Sequence, residues 1–505
     1  MCVLKKLVGV FIIMTMITFL LIPSNAFSIT SKQEEEISKE FMKMVLSHYH
    51  LVDDPLITDY VNAVGKRLVA GIPPQSFNFQ FYVIDENEYN AFAGPGGHVF
   101  INSGLFMAME NEEELAGILG HEISHVSCRH ISEGIERSEK ISIGTLAGIA
   151  AGIFLGVGGA STAASAVTFG SLAAGQSIAL KYSRENEIQA DQIGLNNIVK
   201  AGYSGEGLLS ILKKIRAKQW FGSEQIPTYL VTHPAIEDRI TYMTTMLEQK
   251  EYQPGSSLSI DPYYFERART RLVGVYSDES FALAEFKTAV SKYPTNPMTH
   301  YGYGLALERA GNRKEAILHF KKALEKKAFD PYILQDLGRV YFFDSQPKEA
   351  LGTLKSAINI NPECGPEAYF YLGRAYAELG DYKKAESIYL DLTKKTPLYK
   401  MAYYYLAEIY GKQGYIGEPN YYLGLYNKNM NNYANAEFHL KKAIETLKDP
   451  EKLEHAKELL KEIKKRERSA GSKEQKTGPD PKSFFKLIKM GKLHGESPSS
   501  LGCRS

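Results

Sequence analysis

The sequence predicts a mainly α-helical protein: an α+β first half with a small β-sheet, then an α-solenoid. Three observations carry this expectation. Small and aromatic residues recur at a 34-residue period in the second half. An apolar helical run, "ELAGILGHEISHVSCRH", spans Glu114 to His130 in the first half. Ahead of that run, one alternating segment and one Gly-Pro-Gly-Gly turn read as strands.

The chain has 505 residues, too many for one core, so several domains are expected. Its formal net charge of +1 gives no reason to expect a nucleic-acid partner. The first segment, 1–26, reads as a cleaved secretory signal. Lys5 and Lys6 precede an apolar run from Leu7 to Ile22, and Ser24-Asn25-Ala26 has the small-x-small form of a cleavage site. An uncleaved membrane anchor is the alternative. Cys2 precedes the apolar run and is no lipidation signal. Cys128, Cys364 and Cys503 are too widely spaced to make a disulfide framework.

Residues 27–255 form the expected α+β domain. Ser31 to Arg67 reads as amphipathic helix. "FNFQFYVID", from Phe77 to Asp85, alternates as a strand does. Gly94-Pro95-Gly96-Gly97 separates Ala91-Phe92-Ala93 from His98-Val99-Phe100-Ile101, a hairpin. The next helix begins near Asn111, with Glu112, Glu113 and Glu114 suited to its first turn. Residues 141–180 carry no charge and are rich in Gly, Ala and Ser. They read as helices covering the neighbouring site or lying against a membrane surface; their length also admits a membrane crossing.

Residues 262–463 repeat. Ala282, Ala316, Ala350 and Ala385 are separated by 34, 34 and 35 residues, and Gly304, Gly338 and Gly373 keep nearly the same spacing. Phe286, Phe320, Leu354 and Tyr389 each follow an alanine by four residues. This is the tetratricopeptide pattern, in which small residues let paired helices approach closely. Gly424 lies one and a half periods beyond Gly373, so one helix there is expected to play two parts. Tyr403, Tyr404, Tyr405, Tyr421 and Tyr422 either fill grooves or line a binding surface. Residues 464–505 form a polar, basic tail that reads as disordered.

His121-Glu122-Ile123-Ser124-His125 is H-E-x-x-H. On a helix, positions i and i+4 share a face, so two imidazoles reach one zinc ion. Glu122 is then placed to move a proton from the water that zinc activates. Catalytic zinc takes a third protein ligand and keeps an open position. After Lys140 nothing ionisable appears until Lys181; "KYSRENEIQADQIG" then offers Glu185, Glu187 and Asp191. Glu187 is taken as the third ligand. Asp191, one turn on, reads as an acceptor that orients a ligand histidine, or else as a helix-surface carboxylate. Cys128 reads as packing. His130, one residue past the turn that would align it with His125, reads as peripheral.

With Ser183-Arg184-x-x-Glu187-x-x-Ala190-Asp191 behind it and Asn90-Ala91-Phe92-Ala93 with Pro95-Gly96-Gly97 ahead, the motif resembles the integral-membrane and periplasmic zinc metallopeptidase family that includes the CAAX prenyl protease. A signal in front and repeats behind extend the likeness to that family's periplasmic protease-chaperones of outer-membrane assembly. The resemblance implies one zinc per chain on His121, His125 and Glu187, with Glu122 as base and acid. It draws attention to Thr232-His233-Pro234, where His233 is implied as a regulatory fourth ligand that holds the enzyme off. Arg239 either orients the site or forms a structural ion pair. The strand His98-Val99-Phe100-Ile101 is the expected substrate edge, where an extended peptide adds as a further strand. The implied function is a periplasmic endopeptidase that degrades misfolded or stalled outer-membrane proteins. Its repeats would recruit unfolded substrate or assembly machinery. The alternative is a chaperone or scaffold with a latent protease domain; an inner-membrane peptidase is a third reading, if the signal stays uncleaved.

Overall fold

The computed structural model describes residues 30–137, 182–221, 226–249, 252 and 259–477. The expected signal and the uncharged segment 141–180 lie outside the described residues, as does the tail from 478. The chain divides into two compact units at Asp336/Leu337. No described helix is long and apolar enough to cross a membrane.

The first unit opens with α1 (Ser31–His48) and α2 (Pro55–Val69). The sequence reads as one helical stretch there, but Asp54 and Pro55 divide it. The Asp54 carboxylate accepts from the Leu56 amide, and Pro55 occupies the first turn, where its missing N–H costs nothing. Three strands follow: β1 (Gln80–Ile84), β2 (Ala91–Gly94) and β3 (His98–Asn102). Gly96 and Gly97, at φ +77° and +86°, make the hairpin turn between β2 and β3.

The sheet order is β1-β3-β2, with β3 parallel to β1 and antiparallel to β2. This corrects the expectation for His98, Val99, Phe100 and Ile101. Their strand is central, hydrogen-bonded on both sides, and Val99, Phe100 and Ile101 are fully buried. A strand paired on both sides has no free donors or acceptors for a peptide. The edges are β1 and β2. Leu51 bridges to Ile84 of β1, and all four residues of β2 are buried.

A short α3 (Ser103–Ala108) leads to α4 (Glu112–Ser127), then α5 (His130–Arg137). Beyond the undescribed stretch come α6 (Arg184–Lys200), α7 (Glu206–Phe221), α8 (Thr228–Thr232) and α9 (Ile236–Leu247). Helix α4 is buried along nearly its whole length between α6 and α7. Glycines permit that closeness. A methyl group on Gly120 would lie 2.6 Å from Ile198 Cγ1 of α6, and one on Gly117 would lie 2.5 Å from the Leu208 amide of α7.

The repeats begin with α10 (Pro262–Tyr276), α11 (Glu279–Lys292), α12 (Pro297–Arg309) and α13 (Arg313–Lys326). These belong to the first unit, so the compact division falls later than the 255–262 boundary read from sequence. The physical reason is the apolar face of α10. Phe265 packs edgewise on Tyr60 and lies 5.9 Å from Phe106, within the same core. Arg271, buried, pairs with Asp54 at 2.5 Å and Asp336 at 2.6 Å.

Helix α14 (Pro331–Phe343) spans the division. The second unit continues through α15 (Pro347–Ile360), α16 (Pro366–Glu378), α17 (Tyr382–Lys395), α18 (Lys400–Lys412), α19 (Gly417–Asn429), α20 (Tyr433–Thr446) and α21 (Pro450–Thr477). Large residues seat over the repeat glycines: Leu354 over Gly338, Tyr389 over Gly373, Leu440 over Gly424. The half-period step has a physical form, since α19 packs against both α18 and α20. Tyr403, Tyr421 and Tyr422 are buried fillers, whereas Tyr404 is exposed. The tail expected to be disordered from Lys464 is instead helical to Thr477. Its Lys, Glu, Arg and Ala residues are strong helix formers, so charge alone did not decide its state.

Candidate metal centre

Helix α4 starts where its cap requires. The Asn111 side chain accepts from the Glu114 amide, and three glutamates occupy the positive end of the helix. Two turns on, His121 and His125 project from one face. Helix α6 starts at Ser183, whose hydroxyl accepts from the Asn186 amide while Asn186 reaches back to the Ser183 amide. One turn further in stands Glu187, and one turn beyond it Asp191. The close packing of α4 on α6 brings these four side chains together, each fully buried.

His121 Nε2 lies 3.0 Å from His125 Nε2 and 3.5 Å from Glu187 Oε2; His125 Nε2 lies 3.4 Å from Glu187 Oε1. Ligands about 2.0–2.1 Å from a tetrahedral zinc are separated by about 3.3 Å, so the three spacings suit one ion. His233 completes a four-residue cluster whose ligand atoms all lie within 4.8 Å of one another. Both Glu187 oxygens, both Glu122 oxygens and His233 Nε2 are buried without a well-aligned hydrogen bond, although Arg239 stands 2.5 Å from Glu187 Oε2. Buried polar atoms are rarely left so, and a cation among them would satisfy the donor set.

Charge balance points the same way. With the ligand histidines neutral, as metal binding requires, Glu122, Glu187 and Asp191 face one buried cation in the pocket, Arg239. A divalent ion would bring the pocket to neutrality. Burial by itself raises Glu187 and Asp191, but Arg239 beside them holds both carboxyls below their usual range. Burial and Arg239 push His121 down; Asp191 and Glu187 outweigh them and hold it up at about 9. Burial pushes His125 down to about 3.

The supporting contacts are specific. Asp191 Oδ1 accepts from His121 Nδ1 at 2.8 Å. Arg239 grips Asp191 with two hydrogen bonds, 2.7 and 2.8 Å, and its third nitrogen lies 2.5 Å from Glu187 Oε2. Arg239 therefore bridges the two carboxylates. The Tyr242 hydroxyl donates to Asp191. His233 sits at the end of α8, its ring stacked on Tyr229 at 4.1 Å and its Nδ1 2.9 Å from Thr232 Oγ1. Its Nε2 is 3.4 Å from Glu122 Oε1. Ala235, at φ +62°, turns the chain between His233 and the helix that carries Arg239.

The structure gathers His121, Glu122, His125, Glu187, Asp191, His233 and Arg239 in one pocket. It adds residues that the sequence reading missed. Tyr182 stacks on His125 at 3.6 Å. His130, expected to be peripheral, is 3% exposed and touches His125. The helical period was carried past the point where the helix ends: Cys128 caps α4 and Arg129 turns the chain at φ +59°. His98 takes no part; its nitrogens contact Ser38 and Tyr82.

Residues 55–247 match Peptidase family M48. Residues 277–409 match the N-terminal TPR repeats region of Psidin. The beta-barrel assembly-enhancing protease of Yersinia pestis is 29% identical over 331 residues, covering 65% of this chain and 65% of that protein. The Escherichia coli protein of the same name is 27% identical over 368 residues, covering 70% and 72%. The match thus spans just under two thirds of the Yersinia relative's length. Among solved structures, MamA is 22% identical, covering 35% of this chain and 99% of that one with a TM-score of 0.29. Within the region that matches the M48 model, two histidines and a glutamate converge beside a second glutamate.

Proposed function

We propose that the chain is a zinc endopeptidase of the cell envelope that is latent at rest. The observation that supports this most directly is the convergence of His121, His125 and Glu187 at zinc-ligand spacing, with Glu122 beside them. Zinc bound there would supply Lewis acidity and a water of lowered pKa. Glu122, on the same helix turn, would accept a proton from that water and return it to the leaving amine. Asp191 and Arg239 would hold His121 and Glu187 in place, so the donor set need not rearrange when metal enters. A substrate chain would lie extended, held by main-chain bonds that read little sequence.

His233 Nε2 belongs to the same cluster. In that position it would take the place a substrate carbonyl needs, which supports the latent reading. The relatives' name, beta-barrel assembly-enhancing protease, supports misassembled outer-membrane proteins as substrates and the periplasm as the compartment. The repeats would recruit those substrates or the machinery that assembles them. The test is zinc content and casein cleavage by the mature chain, beside Glu122→Gln and His233→Ala. The reading expects one zinc per chain, cleavage abolished in the first variant and raised in the second. Zinc without cleavage in wild type and His233→Ala alike would leave a chaperone or scaffold instead.

A further inference from the structure

Each zinc-ligating imidazole needs something behind it. A histidine that binds through Nε2 is neutral and carries its proton on Nδ1, and the acceptor of that proton fixes the ring and its basicity. For His121 the acceptor is a carboxylate, Asp191. For His125 the acceptor is of another kind. Its Nδ1 lies 2.9 Å from Nδ1 of His130, and Nε2 of His130 lies 2.9 Å from Gln189 Oε1.

The protons follow in sequence. With His125 protonated on Nδ1, His130 must accept there with its bare Nδ1. Its own proton then sits on Nε2 and is donated to the Gln189 carbonyl oxygen. Every donor in the chain has an acceptor, and every ring is neutral.

We propose that His130, oriented by Gln189, is a positioning residue that holds His125 in its metal-binding tautomer. The inference rests on the zinc reading above.

Two independent features agree with it. The backbone leaves the helical path to make the contact: Arg129 adopts φ +59°, a conformation non-glycine residues seldom take, and the next residue is His130. The charge count also calls for a neutral acceptor. Three buried carboxylates face Arg239 and a divalent ion, which already balance. A fourth carboxylate behind His125 would be buried without compensation.

The experiment measures metal affinity of the full mature chain, stripped by chelator and titrated with zinc against a chromophoric competitor. Cobalt is used in parallel for its ligand-field spectrum. Asparagine places Oδ1 where histidine has Nδ1; leucine has the same shape and no acceptor. His130→Leu should weaken zinc about 10- to 100-fold and alter the cobalt band, and His130→Asn should restore most of the affinity. Gln189, exposed at its helix position, gives a variant with little bearing on folding. Gln189→Leu should weaken zinc in the same direction. If His130→Leu fails to fold, Gln189→Leu and His130→Asn decide the matter. Affinities within about twofold of wild type in His130→Leu, or in Gln189→Leu where the first does not fold, overturn the inference and leave the zinc site standing. A wild-type chain that binds no zinc overturns both.

Discussion

Replacing Arg239 with methionine tests the electrostatic account of the pocket directly. The side chain is 1% exposed and its three nitrogens engage two carboxylates that are fully buried. Methionine keeps much of the apolar volume and removes the charge. Breaking one buried pair by removing a partner costs about 3–5 kcal/mol, because the other charge stays buried. Two carboxylates lose their cation here, but each has an escape. An unpaired carboxylate can take a proton, which at pH 7 costs about 1.36 kcal/mol for each unit above its unfolded pKa of about 4, or roughly 4 kcal/mol. Asp191 also keeps its bonds from His121 and Tyr242. The metal-free protein should therefore lose about 3–5 kcal/mol, and zinc should recover part of that by neutralising Glu187. The single tryptophan of the chain, Trp220, lies in α7 of the first unit. Its fluorescence during urea unfolding follows that unit alone. A metal-free Arg239→Met protein within about 1 kcal/mol of wild type would refute the account.

Other outcomes are as specific. Gly120→Ala should destabilise the first unit by about 1–3 kcal/mol and weaken zinc binding, since the added methyl meets Ile198 and forces α4 from α6; urea midpoints and zinc titration check this. Burial lowers the His98 pKa from 6.5 to about 4, so the unfolded chain binds the extra proton in that window. His98 then contributes stability that is full above pH 6.5 and is lost as pH falls towards 4. The loss is up to about 3 kcal/mol, and His98→Asn should flatten that slope in the stability–pH curve. Removing metal with a chelator should lower the melting temperature of the first unit in wild type and much less in His121→Ala, read by tryptophan fluorescence.

Much of the site could be read in the chain because it depends on local geometry. His121, Glu122 and His125 share a helix, and four-residue spacing puts two of them on one face whatever surrounds it. Glu187 and Asp191 stood out because 40 residues without a charge precede Lys181. His233 and Arg239 came only from resemblance, since a lone histidine and a lone arginine carry no periodic signal. The repeat glycines and alanines were legible for the same reason as the motif: each acts on its own helix pair.

What the sequence by itself determined is therefore everything set within one helix or one hairpin: the ligand face of α4, the β2–β3 turn, the paired repeats. What only the tertiary structure decided depends on where separate elements meet. Sheet order is one case. The hairpin was readable, but the parallel pairing of β1 that makes β3 central comes from a segment outside the hairpin, 18 residues back in the chain. His130 is the other. Its partner is one turn back and its support is on another helix, and the left-handed residue between them erases the period by which the sequence could have placed it.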